Sequence, residues 1–242
     1  MAIRYYYSKS ASQEAITSGG VSLLYPWHMH MCHWTLGLVR RGMVELATPA
    51  GMRQMKAGGF FLIPPRIPHS LHVAGQSEFL TLCINEGCRL QYKRASFPGE
   101  SQLLLPREYS LLVRMIDQRI RQIGPLKGWQ NGSSIRKLAQ HLVEQPTTAF
   151  SLVEMARIAC ASPWHFLRRF KSETGMTPHA FLINCKIRHV RSLLRDRRTA
   201  ADASVLAGFA DQSHMHKLFK LHHNLTPRQF VLANSALDDA IR

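Results

Sequence analysis

A string that occurs twice in the second half of the chain constrains the fold most strongly. Phe170-Lys-Ser-Glu-Thr-Gly-Met-Thr-Pro178 returns as Phe219-Lys-Leu-His-His-Asn-Leu-Thr-Pro227, an offset of 49 residues. A fixed offset of this size indicates one supersecondary unit that is present in two copies. The sequence therefore predicts two related helical units with a further helix joining them.

Helical periodicity divides each copy into an inner and an outer face. In the first copy, the apolar side chains of Phe166 and Phe170 define the inner face. A step of about 100° per residue then places three side chains on the outer face, namely Trp164, Arg168 and Lys171. The matching outer positions of the second copy are Ser213, Lys217 and Lys220. Each copy is thus expected to direct a polar, cationic helix face outward.

Capping signals mark the helix boundaries around both copies. Ser151 and Glu154 have the spacing of a capping box, in which each side chain accepts a hydrogen bond from an otherwise unpaired backbone N–H. Three hydroxyl residues each precede a proline at the first helical position: Ser162, Thr177 and Thr226. Gly175 and Asn224 stand where helices should end, because both tolerate a left-handed backbone. A short helix, a turn and a second helix with a polar outer face form a helix-turn-helix unit.

The chain carries a large excess of positive charge. Its 242 residues include 31 Lys and Arg against 15 Asp and Glu, a formal net charge of +16. This balance favours a polyanionic partner. A hydrophobic fraction of 45% is typical of a globular protein. We expect a cytoplasmic protein without a membrane partner, because there is no secretion signal, no apolar run of about 18 residues and no CxxC pair.

Two strings of the second half carry a family resemblance: Cys160-Ala-Ser-Pro-Trp-His-Phe-Leu-Arg-Arg-Phe-Lys171 and Ala207-Gly-Phe-Ala-Asp-Gln-Ser-His-Met-His-Lys-Leu-Phe-Lys220. With them, residues 151–230 resemble the DNA-binding domain of the AraC family of transcription regulators. The chain departs from the family pattern at Ala203-Ser204, where an Ile-Ala pair is usual, and at Lys186, where an arginine is usual. The resemblance implies a homodimeric regulator, an activator rather than a repressor, that works with RNA polymerase.

The resemblance also implies how each unit reads double-stranded DNA. In the first unit, Trp164, Leu167 and Arg168 should enter a major groove, where an arginine donates to guanine O6 and N7. The corresponding residues of the second unit are Gln212, Ser213, His216 and Lys217. Lys171 and Lys220 should bind phosphates, which orient the protein without reading sequence. The two units should reach adjacent major-groove segments about 10 bp apart on one DNA face.

Short β-prone runs fill the first hundred residues. Four of them are Leu36–Arg41, Met43–Thr48, Phe60–Ile63 and Phe79–Ile84. Glycine and proline residues separate these runs, and short strands at such spacing indicate a sandwich or a barrel. After residue 102 the pattern becomes helical: Tyr109–Ile123 carries apolar residues at three-to-four-residue spacing, including Leu112, Met115 and Ile116. This helix is expected either at a dimer seam or packed within the chain.

The first half resembles the sensor domain of the same family, a cupin-like β-barrel. The resemblance rests on Pro26-Trp-His-Met-His30, on Gly42 and on Gly58-Gly-Phe-Phe-Leu-Ile-Pro-Pro-Arg-Ile-Pro-His69. Cupin metal enzymes combine such a His-x-His with a later glutamate and a histidine after the turn. Here Trp34 and Thr35 occupy the place of the glutamate.

The histidines of this resemblance allow three interpretations. His28, His30 and His69 could hold a divalent ion such as Zn, Ni, Cu or Fe with positions left open. They could instead contact a small-molecule effector, or serve the fold alone. His33 and His72 are further donors to consider. The complete predicted effector-binding set is His28, His30, Trp34, Phe61, Arg66 and His69.

These observations predict an α+β multidomain protein. Residues 1–100 should form a cupin-like sensor domain with an N-terminal arm, and residues 101–134 a dimerisation or packing helix and a linker. Residues 135–235 should form an all-α DNA-binding domain, in which a connecting helix joins two helix-turn-helix units. On a strand, His28 and His30 would share one face because the side-chain period is two.

The predicted function is sequence-specific regulation of transcription under the control of a small-molecule or metal effector in the barrel. A cupin-type metal-dependent enzyme fused to a DNA-binding module is the alternative, but the missing glutamate argues against it, so we expect no enzymatic activity. A purely architectural DNA-binding protein is a third class. It would bind all sequences with a steep salt dependence and would not respond to a ligand.

Overall fold

The structure is a computed structural model, and it describes residues 3–7, 13–20, 22–85, 118, 133–148 and 150–238. The described part of the first half consists of β-strands, and residues 133–238 consist of helices and their connections. The predicted helix over Tyr109–Ile123 and most of the predicted linker lie outside the described residues, apart from Gln118, which is helical.

Nine strands form the first half of the described chain. They are β1 (Ile3–Tyr7), β2 (Gln13–Gly19), β3 (Leu23–His28), β4 (His33–Arg41), β5 (Met43–Thr48), β6 (Gly51–Lys56), β7 (Phe60–Ile63), β8 (His69–Val73) and β9 (Glu78–Asn85). All four strands predicted from the sequence are confirmed, and β5 and β7 have the predicted bounds. The sequence analysis did not identify β1, β2, β3, β6 and β8.

The strands form two antiparallel sheets. One has the order β1-β2-β9-β4-β7 and the other the order β3-β8-β5-β6. Buried residues of both sheets, among them Val39, Val44 and Val73, belong to one core, so the sheets pack face to face. Within the described residues, the ladders do not close into one continuous barrel. The predicted β-domain is therefore confirmed as two facing sheets.

A close contact inside this core explains one glycine. Gly37 of β4 lies opposite Phe61 of β7 in the antiparallel register. A Cβ built on Gly37 would lie 2.0 Å from the Phe61 ring. Phe61 is itself buried in the shared core. The ring therefore fills the space that a larger residue at position 37 would need.

Seven helices follow. They are α1 (Ser134–Glu144), α2 (Leu152–Ile158), α3 (Pro163–Thr174), α4 (Pro178–Arg195), α5 (Ala200–Leu206), α6 (Gln212–His223) and α7 (Pro227–Asp238). The predicted capping box of Ser151 and Glu154 is present at α2. The predicted proline starts are confirmed at α3, α4 and α7. Gly175 and Asn224 end α3 and α6 in the left-handed conformation, with φ of 75° and 54°. No helix among the described residues is long and apolar enough to cross a lipid bilayer.

Each helical unit is built around buried aromatic rings. The predicted inner residues Phe166 and Phe170 are fully buried, with ring centroids 5.4 Å apart. In the second unit, Met215 and Phe219 are fully buried as well, and Phe219 lies 5.5 Å from the ring of Phe230. The repeated string is therefore the anchor of two helix-turn-helix pairs, α2 with α3 and α5 with α6.

The two departures from the family pattern both lie at the second unit. Ala203 and Ser204 of α5 are buried, so the small pair fills its place in a thin part of the core. Lys186 of α4 donates from Nζ to the backbone oxygen of Gly208, at 2.7 Å. Its ammonium also lies 5.7 Å from the centre of the Phe209 ring. The lysine thus ties the connecting helix to the turn of the second unit.

Replacing Phe166 by alanine tests this arrangement of the core. Because the ring is fully buried, Phe166→Ala should lower the free energy of unfolding by about 3–5 kcal/mol. The change is measured by urea unfolding of the full chain. Trp164→Ala is the control, because Trp164 is 70% exposed and its loss should change stability by only about 0.5 kcal/mol. Equal losses in the two variants would contradict the packing described here.

Candidate DNA-binding face and effector cavity

The outer faces of α3 and α6 carry the residues that the sequence predicts to read DNA. On α3, Trp164, Arg168 and Lys171 are exposed, and Leu167 is half-buried. On α6, the exposed predicted residues are Gln212, Ser213, Lys217 and Lys220. His216 is half-buried, and its Nε2 lies 3.3 Å from Nε2 of Gln212. Both helices thus present polar and cationic side chains away from their aromatic anchors.

Charges beside the first recognition helix are partly compensated. Arg169 forms an ion pair with Glu173, one turn later on α3, at 3.4 Å. Arg136 of α1 lies 3.8 Å from the same carboxylate. Within the described ranges, Arg168 forms no ion pair. Its guanidinium is therefore available to a ligand outside the protein.

The ends of the two recognition helices contact the sensor domain at equivalent positions of the repeat. A Cβ on Gly175 would lie 2.2 Å from Cγ of Pro68, so the end of α3 is packed against the turn before β8. Asn224, 49 positions later in the chain, donates from Nδ2 to the backbone oxygen of Leu24 in β3, at 3.1 Å. The sensor domain therefore touches both helix-turn-helix units at the residue that ends the recognition helix.

The connecting helix α4 forms a third contact between the domains. Asn184 donates from Nδ2 to the backbone oxygen of Trp27, at 3.2 Å. Met29 and Met31, which follow β3, are buried in one cluster with Phe181 and other residues of the first helical unit. The segment after β3 is thus part of the core of the helical domain.

Three histidines of the sensor domain come together beside this contact. Nitrogen atoms of His28, His30 and His69 all lie within 4.8 Å of one another. The rings of His28 and His69 are closest, with centroids 4.3 Å apart. The expectation that His28 and His30 share a strand face is wrong, because β3 ends at His28 and His30 lies beyond it. The chain there leaves the ladder, and Arg66 donates its backbone N–H to the His30 carbonyl at 2.7 Å.

Hydrogen bonds fix the orientation of two of these rings. Nδ1–H of His28 donates to the Pro26 carbonyl at 2.7 Å, and Nδ1–H of His69 donates to the Ile67 carbonyl at 2.9 Å. Each imidazole then has an unprotonated Nε2, the form that binds metal ions. Nε2 of His69 is buried and has no hydrogen-bond partner among the described residues. A buried polar atom of this kind calls for a ligand.

Burial keeps the imidazoles neutral. Desolvation lowers the pKa of His69 to about 3. Desolvation also lowers the pKa of His28 and places that of His30 well below its ordinary value, and the positive charge of Arg191 adds to both effects. Neutral imidazole is the ligand form at physiological pH, so no proton has to leave before an ion binds.

The donor set fits a divalent transition metal. Two nitrogen ligands of one zinc ion lie at most about 4.2 Å apart, twice the Zn–N distance, so small ring rotations would complete the site. Thr35 occupies the place of the cupin glutamate, and its Oγ1 lies 3.9 Å from Sγ of Cys83. The cluster consists of three neutral donors without a carboxylate.

The other predicted effector residues and donors lie elsewhere. Trp34 and Phe61 are buried side chains of β4 and β7 and do not line the cavity described below. Arg66 lies in the turn before β8 with a left-handed backbone, φ 66°. His72 pairs with Glu45 at 3.1 Å on an exposed part of the sheet. Of the five, only His33 approaches the cluster, with its ring 6.4 Å from that of His30.

A cavity of about 360 Å³ opens between the histidine cluster and the helical domain. His28, His30 and His33 line it from the sensor side. The helical side provides residues that the sequence analysis missed: Asn184, Arg188, Arg191, Arg195, His222 and His223. The spacing of the three arginines, at positions i, i+3 and i+7, places them on one face of α4. That spacing is the signal in the sequence that could have identified them.

The helical side of the cavity is electropositive and partly desolvated. Burial lowers the pKa of Arg188 and lowers that of His222 to about 4. Burial, followed by the charge of Arg191, places the pKa of His223 well below its ordinary value. Arg191 has the same effect on His33, whose pKa falls to about 4 chiefly through burial. The guanidinium of Arg191 is therefore close to histidines of both domains.

Comparison with known proteins gives two family matches. The family described as "AraC-like ligand binding domain" matches residues 10–146. The family described as "Helix-turn-helix domain" matches residues 155–232. The first match covers the sheets and α1, and the second covers both helix-turn-helix units.

Relatives of similar sequence are regulators of the helix-turn-helix type. The chain is 29% identical to the HTH-type transcriptional regulator MtrA of Neisseria gonorrhoeae over 115 residues, 47% of this chain and 38% of that protein. It is 23% identical over 237 residues to the uncharacterized HTH-type transcriptional regulator YbfI of Bacillus subtilis, with 84% and 85% covered. The chain thus spans well under half of the first relative and most of the second.

The fold is similar to that of a solved structure that includes both domains. The crystal structure of ToxT from Vibrio cholerae matches with a TM-score of 0.58 and 9% identity, over 92% of this chain and 98% of that one. Another structure of ToxT is described as bound to an unsaturated fatty acid. At this identity the likeness establishes the fold, a sensor-like sheet domain followed by paired helix-turn-helix units.

Proposed function

We propose a mechanism for this chain from one premise: it belongs to the AraC family of transcription regulators, with a ligand-binding sheet domain and a helix-turn-helix DNA-binding domain. In this proposal, the chain binds an operator of two adjacent major-groove segments and responds to an effector held beside the histidine cluster. One observation carries the proposal. The sensor domain contacts both recognition helices at their equivalent ends, Gly175 and Asn224.

The first part of the proposal concerns base reading. Arg168 and Lys217 are exposed on the outer faces of α3 and α6, and such side chains donate to guanine in the major groove. Trp164 and Leu167 on α3, with Gln212, Ser213 and His216 on α6, complete the proposed base-reading set. Lys171 and Lys220 lie further along the helices and bind phosphates in this proposal.

The second part concerns how the effector acts. A ligand changes DNA binding only if it favours one arrangement of the domains over another. The histidine cluster lies between the two contacts, because Pro68 immediately precedes His69, and Leu24 lies in the strand that ends at His28. An occupant of the cluster would therefore bias the position of both recognition helices together.

The third part concerns the ion. We propose that His28, His30 and His69 hold one divalent transition metal ion, with zinc, nickel, copper and iron as the candidates. The oriented Nε2 atoms and the partnerless Nε2 of His69 support this site. The ion would supply a fixed positive charge and open coordination positions. In this proposal the site senses and does not catalyse, because no carboxylate belongs to the cluster.

The remaining parts follow from the family. We propose that the chain works in the cytoplasm as a homodimer, and that it acts on transcription through RNA polymerase, as an activator. Its relatives are named as transcriptional regulators. This supports a regulator rather than an enzyme. A small organic effector is compatible with the same cavity, given the fatty acid in the ToxT structure.

Arg168→Ala tests the reading of bases. We expect affinity for an operator, selected from a random duplex pool on the unmodified chain, to fall by about 1–3 kcal/mol, with relaxed preference at one base pair. Affinity is measured by fluorescence anisotropy on that operator and on random duplexes. Lys171→Ala is the comparison, since loss of a phosphate contact should weaken both duplexes alike. A uniform loss for Arg168→Ala would remove it from the base-reading set.

Metal analysis tests the histidine site. The full chain, purified without chelators and dialysed against zinc, should retain about one ion per chain, and the double variant His28→Ala/His30→Ala should retain none, because three protein ligands make the site. Elemental analysis gives the ratio. His72→Ala should bind as the unmodified chain does, because His72 pairs with Glu45 away from the cluster. Equal zinc content in the unmodified chain and the double variant would sink the proposed site.

A further inference from the structure

We infer that the effector of the cavity is an organic anion that binds the ion of the histidine site through one carboxylate oxygen and pairs with Arg191 through the other. This inference rests on the proposed metal site and assigns the chemical class of its ligand. It also assigns to Arg191 of α4, which belongs to the DNA-binding domain, the role of selecting the ligand.

Charge is the first argument for an anion. Three arginines line the cavity, namely Arg188, Arg191 and Arg195. Glu144 is the one acidic residue among the lining residues. A partly desolvated group of cations is unfavourable unless an anion accompanies it. A ligand of opposite charge gains most in such a place, because the surrounding dielectric constant is lower than in water.

The position of Arg191 is the second argument. It lines the large cavity, and it also lines a smaller one of about 60 Å³ that reaches His69 and Thr35. Its charge lowers the pKa of His28 and of His30, so its guanidinium is within electrostatic reach of two of the proposed ligands. A guanidinium binds a carboxylate with two parallel hydrogen bonds, which gives both strength and orientation.

The donor set is the third argument. Three neutral imidazoles leave the charge of a divalent ion uncompensated, and they leave open at least one position of a tetrahedral site. The ion and the guanidinium of Arg191 would then repel each other across the boundary between the domains. An anionic oxygen on the open position reverses the sign of this interaction. The ion alone therefore works against domain contact at Arg191, whereas the ion with its anion favours it.

The size and lining of the cavity set a limit on the ligand. A volume of about 360 Å³ lies at the lower end of the range for small-molecule sites. Asn184, Ser192 and His189 add polar groups to the wall, and Val143 and Ile187 add apolar ones. A compact carboxylate with a short apolar body matches this wall.

The location of Arg191 gives the ligand access to both DNA-binding units. Arg191 lies on α4, which packs against helices of the first unit and of the second. A ligand that joins the sensor domain to this helix therefore acts on both recognition helices. By linkage, an operator that favours the same arrangement should raise the affinity for the anion.

Cobalt-loaded full chain tests the inference, with butyrate as the probe. Co²⁺ replaces the native ion and reports its ligands through visible absorption. Butyrate should change the spectrum saturably, whereas butyramide and butylamine, which lack the negative charge, should not. Arg191→Gln should still bind one Co²⁺ but should weaken butyrate binding at least about tenfold, because a charged hydrogen-bonded pair is lost. Arg191→Lys keeps the charge without the two-pronged geometry, so it should fall between the two.

Arg157→Gln is the matched control, because Arg157 is exposed on α2 and does not line the cavity. It should bind butyrate as the unmodified chain does. If the chain binds Co²⁺ but butyrate leaves the spectrum unchanged, or binds Arg191→Gln equally well, the inference is wrong while the metal site stands. If the chain does not bind Co²⁺, both the metal site and the inference are wrong.

Discussion

The ends of the two recognition helices, where the backbone turns left-handed at Gly175 and Asn224, join the two halves of the molecule. A left-handed residue ends a helix and exposes its last carbonyl groups, and here it also meets the sensor domain. At Gly175 the missing side chain lets Pro68 approach, and at Asn224 the side chain itself donates a hydrogen bond to Leu24. Equivalent positions of a repeat thus form a pair of contacts with one partner domain.

The histidine cluster owes its chemical character to these contacts. Packing of the helical domain over His28, His30 and His69 removes water, and the loss of water holds the pKa of each imidazole below its ordinary value. Backbone carbonyls fix two of the rings, so their Nε2 atoms converge before any ion arrives. A site that is preorganised by domain packing is, by linkage, a site whose occupant acts on that packing.

Local sequence signals predicted the parts of the fold that depend on local physics. Turn residues on both sides gave the bounds of β5 and β7, and capping residues gave the starts of α2, α3 and α4. The aromatic repeat predicted which faces are buried. The contact of Asn224 with Leu24 was beyond prediction, because it joins residues 200 positions apart and depends on how the domains pack. The same holds for Arg191: its spacing showed a helix face, but only the packed structure shows what that face meets.

The central claim is that the sensor domain controls DNA binding through the ends of the recognition helices, and Asn224→Gly tests it most directly. Glycine keeps the left-handed helix end and removes the hydrogen bond to Leu24. The measurement is operator affinity of the variant and of the unmodified chain, each with and without zinc. We expect the variant to bind zinc and to keep its zinc-free operator affinity within about threefold, but to lose most of the zinc-dependent change. A change as large as in the unmodified chain would contradict the claim.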